Sequence, residues 1–486
     1  MADNVKDICN IFFDLEDKYK LNFLEIQGTY PWQLIRIFLY YHITGKKKLF
    51  GSAQQQSLSL FDKIKSFMPF IKNSILYNPF KGNEKKEILI FDHPRKTLFQ
   101  KEYKDIYSYF LVDLLKGKCS FEVMESPYLN KHYAKHEDYI KYTDRIQLGS
   151  YAYKKRNKIN YTEKEIVIIS EIQKELENRF DLKLDLFTII TNHILNYKYD
   201  YKKYRELFEK RKPKMIFVVV AYENKAIVSA AKDLDIEVIE LQHGTISDYH
   251  LGYSYPEKTR TFNGEVKEIA YYPDKILTFG DYWINNEVSP IESENIIPIG
   301  FPYFEAQSKE FINKNNKTNK IIFISQGVIG KYMSEIAYEA AIKLKDYEII
   351  YKLHPGEYMT WRENYDVLNK ASELDNFKVI DNNNTPLYQM FSESEIQVGA
   401  FSTAIYEGLM FNCKTFILDL PGVEYLEDLI EKGYVCKVTT GDELVENLKT
   451  FKPTKYDKNF FFKNLDEESL NKLVKKWMNM FNSLRE

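Results

Sequence analysis

Two segments decide the fold: Lys352-Leu353-His354-Pro355-Gly356 and, further along the chain, Gly399-Ala400-Phe401-Ser402-Thr403-Ala404-Ile405-Tyr406-Glu407-Gly408-Leu409. Each follows a short apolar run, at 347–353 and at 395–398, that predicts a buried strand. The first run ends in a His-Pro-Gly turn, and the second ends in small and hydroxyl residues that open a helix. In open α/β sheets, ligands bind at the carboxyl ends of the strands. The two segments therefore predict one edge of a ligand-binding α/β domain.

The second segment has the chemistry of a phosphate site. A helix start offers free backbone N–H groups and a partial positive charge, and Ser402 and Thr403 add hydroxyl donors. Glu407 lies four residues beyond Thr403 on the same helical face, where a carboxylate suits the hydroxyls of a ribose. Each feature alone also fits a structural role, since Ser and Thr are common N-caps and His-Pro is a common turn. Their order and matched placement at strand ends favour a nucleotide-sugar site. The residues predicted to bind the nucleotide of this donor are His354, Pro355, Ser402, Thr403 and Glu407.

The composition sets the broad class of the protein. The chain has 486 residues, enough for two domains of ordinary size and an extension. Its 68 Lys and Arg nearly balance its 70 Asp and Glu, so no basic field predicts nucleic acid as a partner. The 4 cysteines are scattered, which argues against a structural zinc and a disulfide framework. With no signal-peptide pattern and no apolar run of ~18 residues, we expect a cytoplasmic protein.

The N-terminal region differs from the rest of the chain. Residues 32–41 predict an apolar helix that holds one charge, Arg36, and residues 59–77 predict a second helix with lysines beside an apolar face and an interruption at Pro69. Two interpretations fit this pattern: contact with an anionic membrane surface, or helices packed on the main body. We favour packed helices, and peripheral contact with the inner face of the plasma membrane stays open.

From residue 87 onward, strands and helices alternate. Strands are predicted at 87–91, 214–220, 237–241, 275–278 and 295–299, then at 321–325, 347–353, 377–380, 395–398, 415–418 and 434–438. Helices are predicted between them, among others at 163–180, 184–208 and 224–233. Two successive series of this kind predict an α/β protein with two Rossmann-like, doubly wound domains that face a cleft. The predicted division is an N-terminal helical extension at 1–84, domains at 85–316 and 317–455, and C-terminal helices at 456–486.

The turn Gln242-His243-Gly244-Thr245 holds the catalytic candidate of the first domain. A histidine at a strand end can take a proton from an acceptor hydroxyl near neutral pH, although such a histidine is also a common structural hydrogen-bonding group. Asp248 and His250, a few residues on, are alternative bases. Another strand end, Asp92-His93-Pro94-Arg95, predicts groups that contact the acceptor or close the cleft. The candidates for that role are Asp92, His93, Arg95 and Gln242.

Other site classes lack support in the sequence. Two acidic stretches, 181–185 and 233–235, could suggest a divalent metal site. The stretch 233–235 is predicted at a helix end on the edge away from the cleft, where a solvated turn is a simpler interpretation than a metal site. No P-loop occurs, and no Gly-x-Gly-x-x-Gly follows the first strand. The sequence therefore lacks the usual signatures of kinases, ATPases and classical dehydrogenases. We predict no metal and no cofactor, because a nucleotide-sugar would be a substrate.

The motifs resemble those of GT-B glycosyltransferases that build bacterial surface polysaccharides. The His-Pro and Ser-Thr pairs are similar to those of bacterial sialyltransferases and polysialyltransferases, which use CMP-activated sugars; this resemblance implies that His354 contacts the nucleotide and Ser402 or Thr403 its phosphate. The Gln-His-Gly-Thr turn ahead of His-Pro-Gly also resembles the CDP-glycerol glycerophosphotransferases that polymerise teichoic acids. That second resemblance implies that His243 is the base.

The resemblance covers roughly residues 215–430, and two departures stand out. The acid-acid-Gly motif of the sialyltransferases, whose aspartate is the base, has no clear counterpart here. Ala400-Phe401 and Tyr406-Glu407 stand where the teichoic acid polymerases carry aspartates around the serine pair. The motifs therefore support the fold and the type of reaction better than the identity of the donor.

These observations lead to one expected function and two alternatives. We expect an inverting, metal-independent GT-B glycosyltransferase that moves a sugar from a cytidine- or uridine-activated donor to a glycan or glycolipid acceptor; the resemblance suggests a CMP-activated acidic sugar. The first alternative is transfer of a polyol phosphate from a CDP-polyol. The second is a non-catalytic partner in capsule assembly that keeps only the fold.

Overall fold

A computed structural model describes residues 4–50, 60–285, 287–314, 317–327 and 329–464. The helices are α1 (Val5–Tyr19), α2 (Pro31–Lys46), α3 (Leu60–Leu76), α4 (Tyr109–Leu115), α5 (Asp144–Arg156), α6 (Glu163–Phe180), α7 (Leu186–Arg211), α8 (Lys225–Lys232), α9 (Glu257–Arg260), α10 (Pro302–Ser308), α11 (Gly330–Lys343), α12 (Trp361–Asn364), α13 (Asp366–Ala371), α14 (Leu387–Glu393), α15 (Ala404–Met410), α16 (Glu427–Glu431), α17 (Gly441–Thr450) and α18 (Lys458–Phe461). Of the C-terminal helices predicted at 456–486, the part from residue 465 onward lies outside the described residues.

The strands of the second half alternate with these helices, as predicted, whereas several strands of the first half follow one another without an α-helix between them. They are β1 (Ile88–Phe91), β2 (Thr97–Phe99), β3 (Glu102–Lys104), β4 (Phe121–Glu125), β5 (Ile140–Tyr142), β6 (Met215–Val219), β7 (Glu237–Leu241), β8 (Thr261–Phe262), β9 (Glu265–Val266), β10 (Lys275–Thr278), β11 (Ile296–Pro298), β12 (Thr318–Ile324), β13 (Glu348–Lys352), β14 (Phe377–Ile380), β15 (Ser394–Gly399), β16 (Lys414–Leu418) and β17 (Cys436–Val438).

Two parallel sheets form the cores of the two halves. The first has the order β11-β10-β7-β6-β1-β4-β5, and the second has the order β14-β13-β12-β15-β16-β17. Numbered by position in the chain, the second sheet reads 3-2-1-4-5-6, which is the strand order of Rossmann domains. The first sheet repeats that order with a seventh strand at its edge. The predicted fold class, α/β with two Rossmann-like, doubly wound domains and an N-terminal helical extension, is confirmed, while the exact domain limits stay predictions.

Two strands of the first sheet, β4 and β5, were not predicted from the sequence. β4 is buried along its whole length although its sequence is Phe-Glu-Val-Met-Glu. Its charges are paired inside the protein: Arg211 Nε donates to Glu122 Oε2 at 2.7 Å, and Glu125 contacts His132. A buried strand normally shows a nearly continuous apolar run. The glutamates interrupted that run, so the strand was not recognised.

The N-terminal extension packs on the body of the protein. Arg36, in the first half of α2, is buried, and its Nε donates to Glu16 Oε1 of α1 at 2.5 Å. Trp32 Nε1 donates to the same carboxylate at 2.8 Å. Arg36 Nη1 also donates to the backbone carbonyl of Leu251, in the first domain. The helix predicted at 32–41, which is α2, therefore packs on the main body, and α1, which was not among the predicted helices, packs with it.

The extension also contacts the second domain. Val5 N donates to Glu424 Oε1 at 2.9 Å, and the hydroxyls of Tyr40 and Tyr425 are 2.6 Å apart. The ring of Phe50, just after α2, lies 5.6 Å from that of Phe401. The extension therefore bridges the two domains beside the segment that follows β15.

The C-terminal segment forms a second bridge between the domains. After α18, Lys463 N donates to the carbonyl of Phe279 at 2.8 Å, and Trp283 Nε1 donates to the carbonyl of Phe461 at 2.9 Å. At Gly280 an added Cβ would lie 2.5 Å from the carbonyl oxygen of Phe460, so only glycine permits this approach. Among the described residues, no helix has the length and apolar character needed to cross a membrane.

The buried pair Glu16–Arg36 gives a prediction about stability. We expect Glu16→Ala to lower the free energy of unfolding by about 3–5 kcal/mol, because it leaves a buried guanidinium without its counter-ion. Chemical denaturation measures this change. The control is Asp14→Ala on the same helix, whose ion pair with Lys258 is about half exposed and should cost at most about 1 kcal/mol. Equal losses in the two variants would contradict a dominant role for the buried pair.

Candidate functional site

The predicted site residues follow strands near the point where the strand order of each sheet reverses. In the first sheet this point lies between β1 and β6, and in the second it lies between β12 and β15. Ligands bind in the crevice that forms outside the carboxyl ends of the strands at such a point. His93 follows β1, Tyr222 follows β6, and Phe401 follows β15. The topology therefore gathers residues from distant parts of the chain.

In the second domain, Glu357 connects three segments around the His-Pro-Gly turn. Its carboxylate is buried, with Oε2 accepting from His354 N at 2.7 Å and Oε1 accepting from Ser325 Oγ at 3.0 Å and Tyr365 Oη at 2.8 Å. Gly330 starts α11 so close to this carboxylate that an added Cβ would lie 2.3 Å from Oε1. Glu357 thus holds the turn, the end of β12 and the start of α11 in one arrangement.

The segment after β15 is hydrogen-bonded to the segment that follows β12. Gln326, which follows β12, accepts from Phe401 N through Oε1 at 3.3 Å. Ser402 Oγ accepts from Ala404 N at 3.2 Å, and Thr403 is the N-cap of α15 without a side-chain capping bond. Since α15 has only seven residues, its helix dipole is small. Any phosphate at this position would depend mainly on hydroxyl and backbone N–H donors.

The hydrogen bonds of His354 determine which of its nitrogens can act as a donor. Gly356 N donates to His354 Nδ1 at 3.1 Å. A neutral imidazole that accepts at Nδ1 carries its proton on Nε2. Partial burial of the ring, helped by the positive charges of Arg95 and Lys352, lowers the pKa of His354. The neutral ring therefore offers an N–H donor from a solvent-exposed position, while Pro355 starts the short 3-10 helix that follows.

In the first domain, aromatic residues surround His243. Tyr222 Oη lies 3.3 Å from Nε2, and Tyr253 Oη lies 3.2 Å from Nδ1. The rings of His93 and Tyr107 each lie 6.1 Å from the imidazole. Burial, with smaller effects of His250, His93 and Arg95, lowers the pKa of His243 to about 3. The imidazole is therefore neutral at physiological pH.

Gln242 holds the turn that carries His243. Its Oε1 accepts from Phe279 N at 2.7 Å, and its Nε2 donates to the carbonyl of Gly244 at 2.8 Å. The side chain is buried, and both ends of its amide have partners within the protein. These contacts join the ends of β7 and β10 and set the direction in which the turn leaves the sheet.

Charged groups of each domain act on titratable groups of the other. Burial raises the pKa of Tyr107 in the first domain to about 12, with Arg95 acting against the rise and Glu407 of the second domain adding to it. The charge of Arg95 also lowers the pKa of both His243 and His354. Burial raises the pKa of Glu407 to about 7, opposed by a hydrogen bond from Tyr388. Arg95 and His93 therefore act on His243 within the first domain, while Arg95 and His354, and Glu407 and Tyr107, are linked electrostatically between the domains.

Two other predicted residues lie in different surroundings. Asp92 is paired with Lys96 in a buried network that includes Glu125, and burial raises the pKa of its carboxyl. Asp248 accepts a hydrogen bond from Asn285. Burial also raises the pKa of Asp248, and the charges that add to this rise belong to Glu287, Asp428 and Glu427 rather than to the groups around His243. In the part of the chain that the structure describes, no group of three or more His, Cys, Asp or Glu side chains is arranged to hold a metal ion.

Several residues of this site were missed by sequence reasoning: Tyr107, Tyr222, Glu240, Tyr253, Gln326 and Glu357. The sequence did contain a pattern that could have indicated Gln326 and Glu357 as site residues. Ser325-Gln326-Gly327 follows a buried strand, and Glu357 completes His-Pro-Gly-Glu. The tyrosines had none, since the chain contains 38 of them. Only the folded arrangement distinguishes the ones that contact His243.

Comparisons with known proteins give structural neighbours only. The chain matches no protein-family model and no curated protein sequence. Similar solved structures include the UDP-GlcNAc 2-epimerase of Methanocaldococcus jannaschii, with 12% identity over 81% of this chain and 99% of that one and a TM-score of 0.47. The UDP-GlcNAc 2-epimerase of Neisseria meningitidis bound to UDP-GlcNAc has 14% identity over 80% and 99% and a TM-score of 0.46. The wall teichoic acid polymerase TagF has 12% identity over 88% and 99% and a TM-score of 0.40. At this level of similarity, the fold assignment stands on strand order and register.

The low pKa of His243 predicts a pH dependence of stability. An unfolded histidine has a pKa near ~6.5, whereas the folded pKa is about 3, so between these values only the unfolded state takes up the proton. The free energy of unfolding should therefore fall as the pH drops from about 6.5 to 4, by at most about 1.4 kcal/mol per pH unit from this group. Denaturation of the parent and of His243→Gln between pH 7 and 5 measures the effect. A parent and variant with the same slope would contradict the shift.

Proposed function

We propose that the protein is a GT-B glycosyltransferase that moves a sugar from a nucleotide-sugar to a glycan or glycolipid acceptor during synthesis of a cell-surface polysaccharide. The observation that carries the proposal is that groups of the two domains act on one another: Arg95 lowers the pKa of both His243 and His354, and Glu407 raises the pKa of Tyr107. A transferase needs a base for the acceptor on one side and groups for the leaving phosphate on the other. In this proposal His243 is the base, and His354, Ser402 and Thr403 contact the leaving phosphate.

The donor would bind the second domain. His354 would donate from Nε2 to a phosphate oxygen, and Ser402 and Thr403 would add hydroxyl donors. Glu407 would accept from the ribose hydroxyls. The donor's base and sugar follow only from the resemblance described above, which favours a cytidine nucleotide and a CMP-activated acidic sugar.

The acceptor would be activated by His243. Its neutral imidazole would take the proton of the acceptor hydroxyl, whose oxygen would attack the anomeric carbon as the nucleotide departs, inverting the configuration. A pKa of about 3 makes a weak base. A donor phosphate beside Arg95 would offset one of the positive charges that lower this pKa, so donor binding would strengthen the base. We assign His93 and Arg95 to the acceptor side of the cleft, Gln242 to positioning the turn, and Asp248 as the alternative base. Asp92 keeps its predicted acceptor role, although its carboxylate is paired with Lys96.

Nucleotide binding tests the donor site. Calorimetry with CMP, CDP and UDP should show binding of at least one nucleotide that weakens about 10- to 100-fold in Glu407→Ala, because a lost charge-assisted contact costs about 1.5–3 kcal/mol. The double variant Ser402→Ala/Thr403→Ala should also bind more weakly. Glu431→Ala, an exposed change in the same domain, is the control. Unchanged affinity in both site variants would remove these residues from the donor site.

Turnover tests the base. With a donor that passes the binding screen, we expect His243→Ala to lower kcat by roughly 10²–10⁴-fold, the usual loss for a general base, with nucleotide affinity nearly intact. If Asp248→Asn is inactive and His243→Ala is not, the roles are exchanged. The reactions contain EDTA, since the proposed chemistry uses no divalent metal. Turnover that needs added magnesium would refute the proposal that the reaction is independent of metal.

Product analysis separates this function from transfer of a polyol phosphate. A glycosidic linkage supports the proposal, whereas a phosphodiester identifies a CDP-polyol phosphotransferase of the teichoic acid type. The Gln-His-Gly-Thr and His-Pro-Gly turns favour keeping this second candidate. Absence of nucleotide binding together with absence of donor hydrolysis would instead identify a non-catalytic assembly protein.

We also propose that α3 contacts the inner face of the plasma membrane peripherally. On this helix Met68, Ile71 and Ile75 are exposed on one face, next to Lys72. An apolar helical face beside lysines suits an anionic lipid surface. Co-sedimentation with vesicles that contain phosphatidylglycerol should fall in Ile71→Glu/Ile75→Glu and stay unchanged in Val167→Glu, an equally exposed position on α6. Equal binding by all three proteins would refute the contact.

A further inference from the structure

The hydroxyl of Tyr253 lies between two groups with different hydrogen-bonding needs. It donates to Glu240 Oε1 at 2.7 Å and lies 3.2 Å from His243 Nδ1. Glu240 is buried at the end of β7, and its Oε1 also accepts from Ala221 N at 3.2 Å. The three side chains thus form a line from the sheet to the cleft.

The single proton of this hydroxyl determines what His243 must do. A tyrosine hydroxyl has one hydrogen to donate, and that hydrogen is directed at Glu240 Oε1. In its contact with His243, Tyr253 can therefore only accept, so Nδ1 must be the nitrogen that carries the imidazole proton. This remains true if Glu240 takes up a proton on Oε2, because Oε1 still accepts. The lone pair of the neutral ring is then on Nε2.

The other nitrogen has the complementary partner. Tyr222 Oη lies 3.3 Å from His243 Nε2 and can donate to its lone pair. Tyr222 follows β6, at the point where the strand order of the first sheet reverses. An acceptor hydroxyl that enters the cleft at this point would replace Tyr222 as the donor to Nε2.

We propose that Tyr253 and Glu240 are positioning residues that hold His243 in the tautomer with its proton on Nδ1 and its basic lone pair on Nε2, directed toward the acceptor. This inference rests on the proposed function for its catalytic meaning, but the tautomer itself belongs to the unliganded protein. When His243 takes a proton, the same line of hydrogen bonds connects the imidazolium to the Glu240 carboxylate, which stabilises the charged ring. The arrangement is the reverse of that at His354, where Gly356 N donates to Nδ1 and the proton is on Nε2.

The two histidines therefore have opposite tautomers that suit opposite tasks. His354 presents an N–H donor, as contact with a phosphate requires. His243 presents a lone pair, as proton abstraction requires. A wrong tautomer at a catalytic histidine is costly even when its geometry is preserved. The neighbours of each ring are thus as important as the ring itself.

Nitrogen NMR of the full chain labelled with ¹⁵N-histidine tests the tautomer directly, with the signal of His243 assigned by its loss in His243→Gln. We expect the proton on Nδ1 in the parent protein and in Tyr222→Phe, and a shift of the population toward Nε2–H in Tyr253→Phe. The two Tyr→Phe changes are matched controls, since each removes one hydroxyl from one side of the same ring. A parent with its proton on Nε2, or a Tyr253→Phe variant with the parent tautomer, would overturn the proposal.

Glu240→Leu tests the same inference if Tyr253→Phe fails to fold. Ala221 N and Tyr253 Oη both donate to Glu240 Oε1, so a glutamine could keep both contacts through its amide oxygen. Leucine removes the acceptor, which frees the tyrosine hydrogen for His243 Nδ1 and should move the imidazole proton to Nε2. An unchanged tautomer in this variant counts against the inference. The outcome is independent of the proposed function: if His243→Ala keeps full turnover while the tautomer is found as expected, His243 is not the base, yet Tyr253 and Glu240 still set its protonation.

Discussion

The buried pair between Glu16 and Arg36 is the interaction on which the arrangement of the cleft depends. A guanidinium inside a protein must have its charge and its donors satisfied, and Arg36 does this with Glu16 on one side and the carbonyl of Leu251 on the other. Leu251 lies between the turn of His243 and Tyr253. The pair therefore fastens the N-terminal extension to the segment that supports the catalytic candidate.

The same extension reaches the second domain, so the relative position of the two sheets is held at a point close to the cleft. Tyr40 contacts Tyr425, and Phe50 contacts Phe401 next to the predicted phosphate donors. The C-terminal segment, which follows the second domain in the chain, contacts the first domain through the hydrogen bond from Trp283 to the carbonyl of Phe461. Two crossings of this kind restrict how far the domains can separate, and a ligand held between them would meet groups that are already in place, which lowers the entropy cost of ordering the site.

Several buried side chains hold the candidate site residues in place. Glu357 holds the His-Pro-Gly turn through a backbone N–H, Gln242 holds the turn of His243, and Tyr253 and Glu240 select its tautomer. Each of these side chains is buried, where an unpaired polar group is costly. Their partners are therefore specific, and the orientation of the two histidines follows from them.

The sequence by itself determined the alternating strands and helices, the two-domain class and the strand ends that carry His243, His354 and Ser402, because these depend on local hydrophobic pattern and turn chemistry. It did not reveal β4, whose glutamates are paired with Arg211 and His132 in the folded protein, nor the tyrosines around His243, which look like any others in the sequence. Only the tertiary structure decided that Arg95 acts on His354 and Glu407 on Tyr107, and that Asp92 and Asp248 lie in other surroundings. Contacts between residues far apart in the chain depend on strand order and domain placement, and neither is written in any local segment.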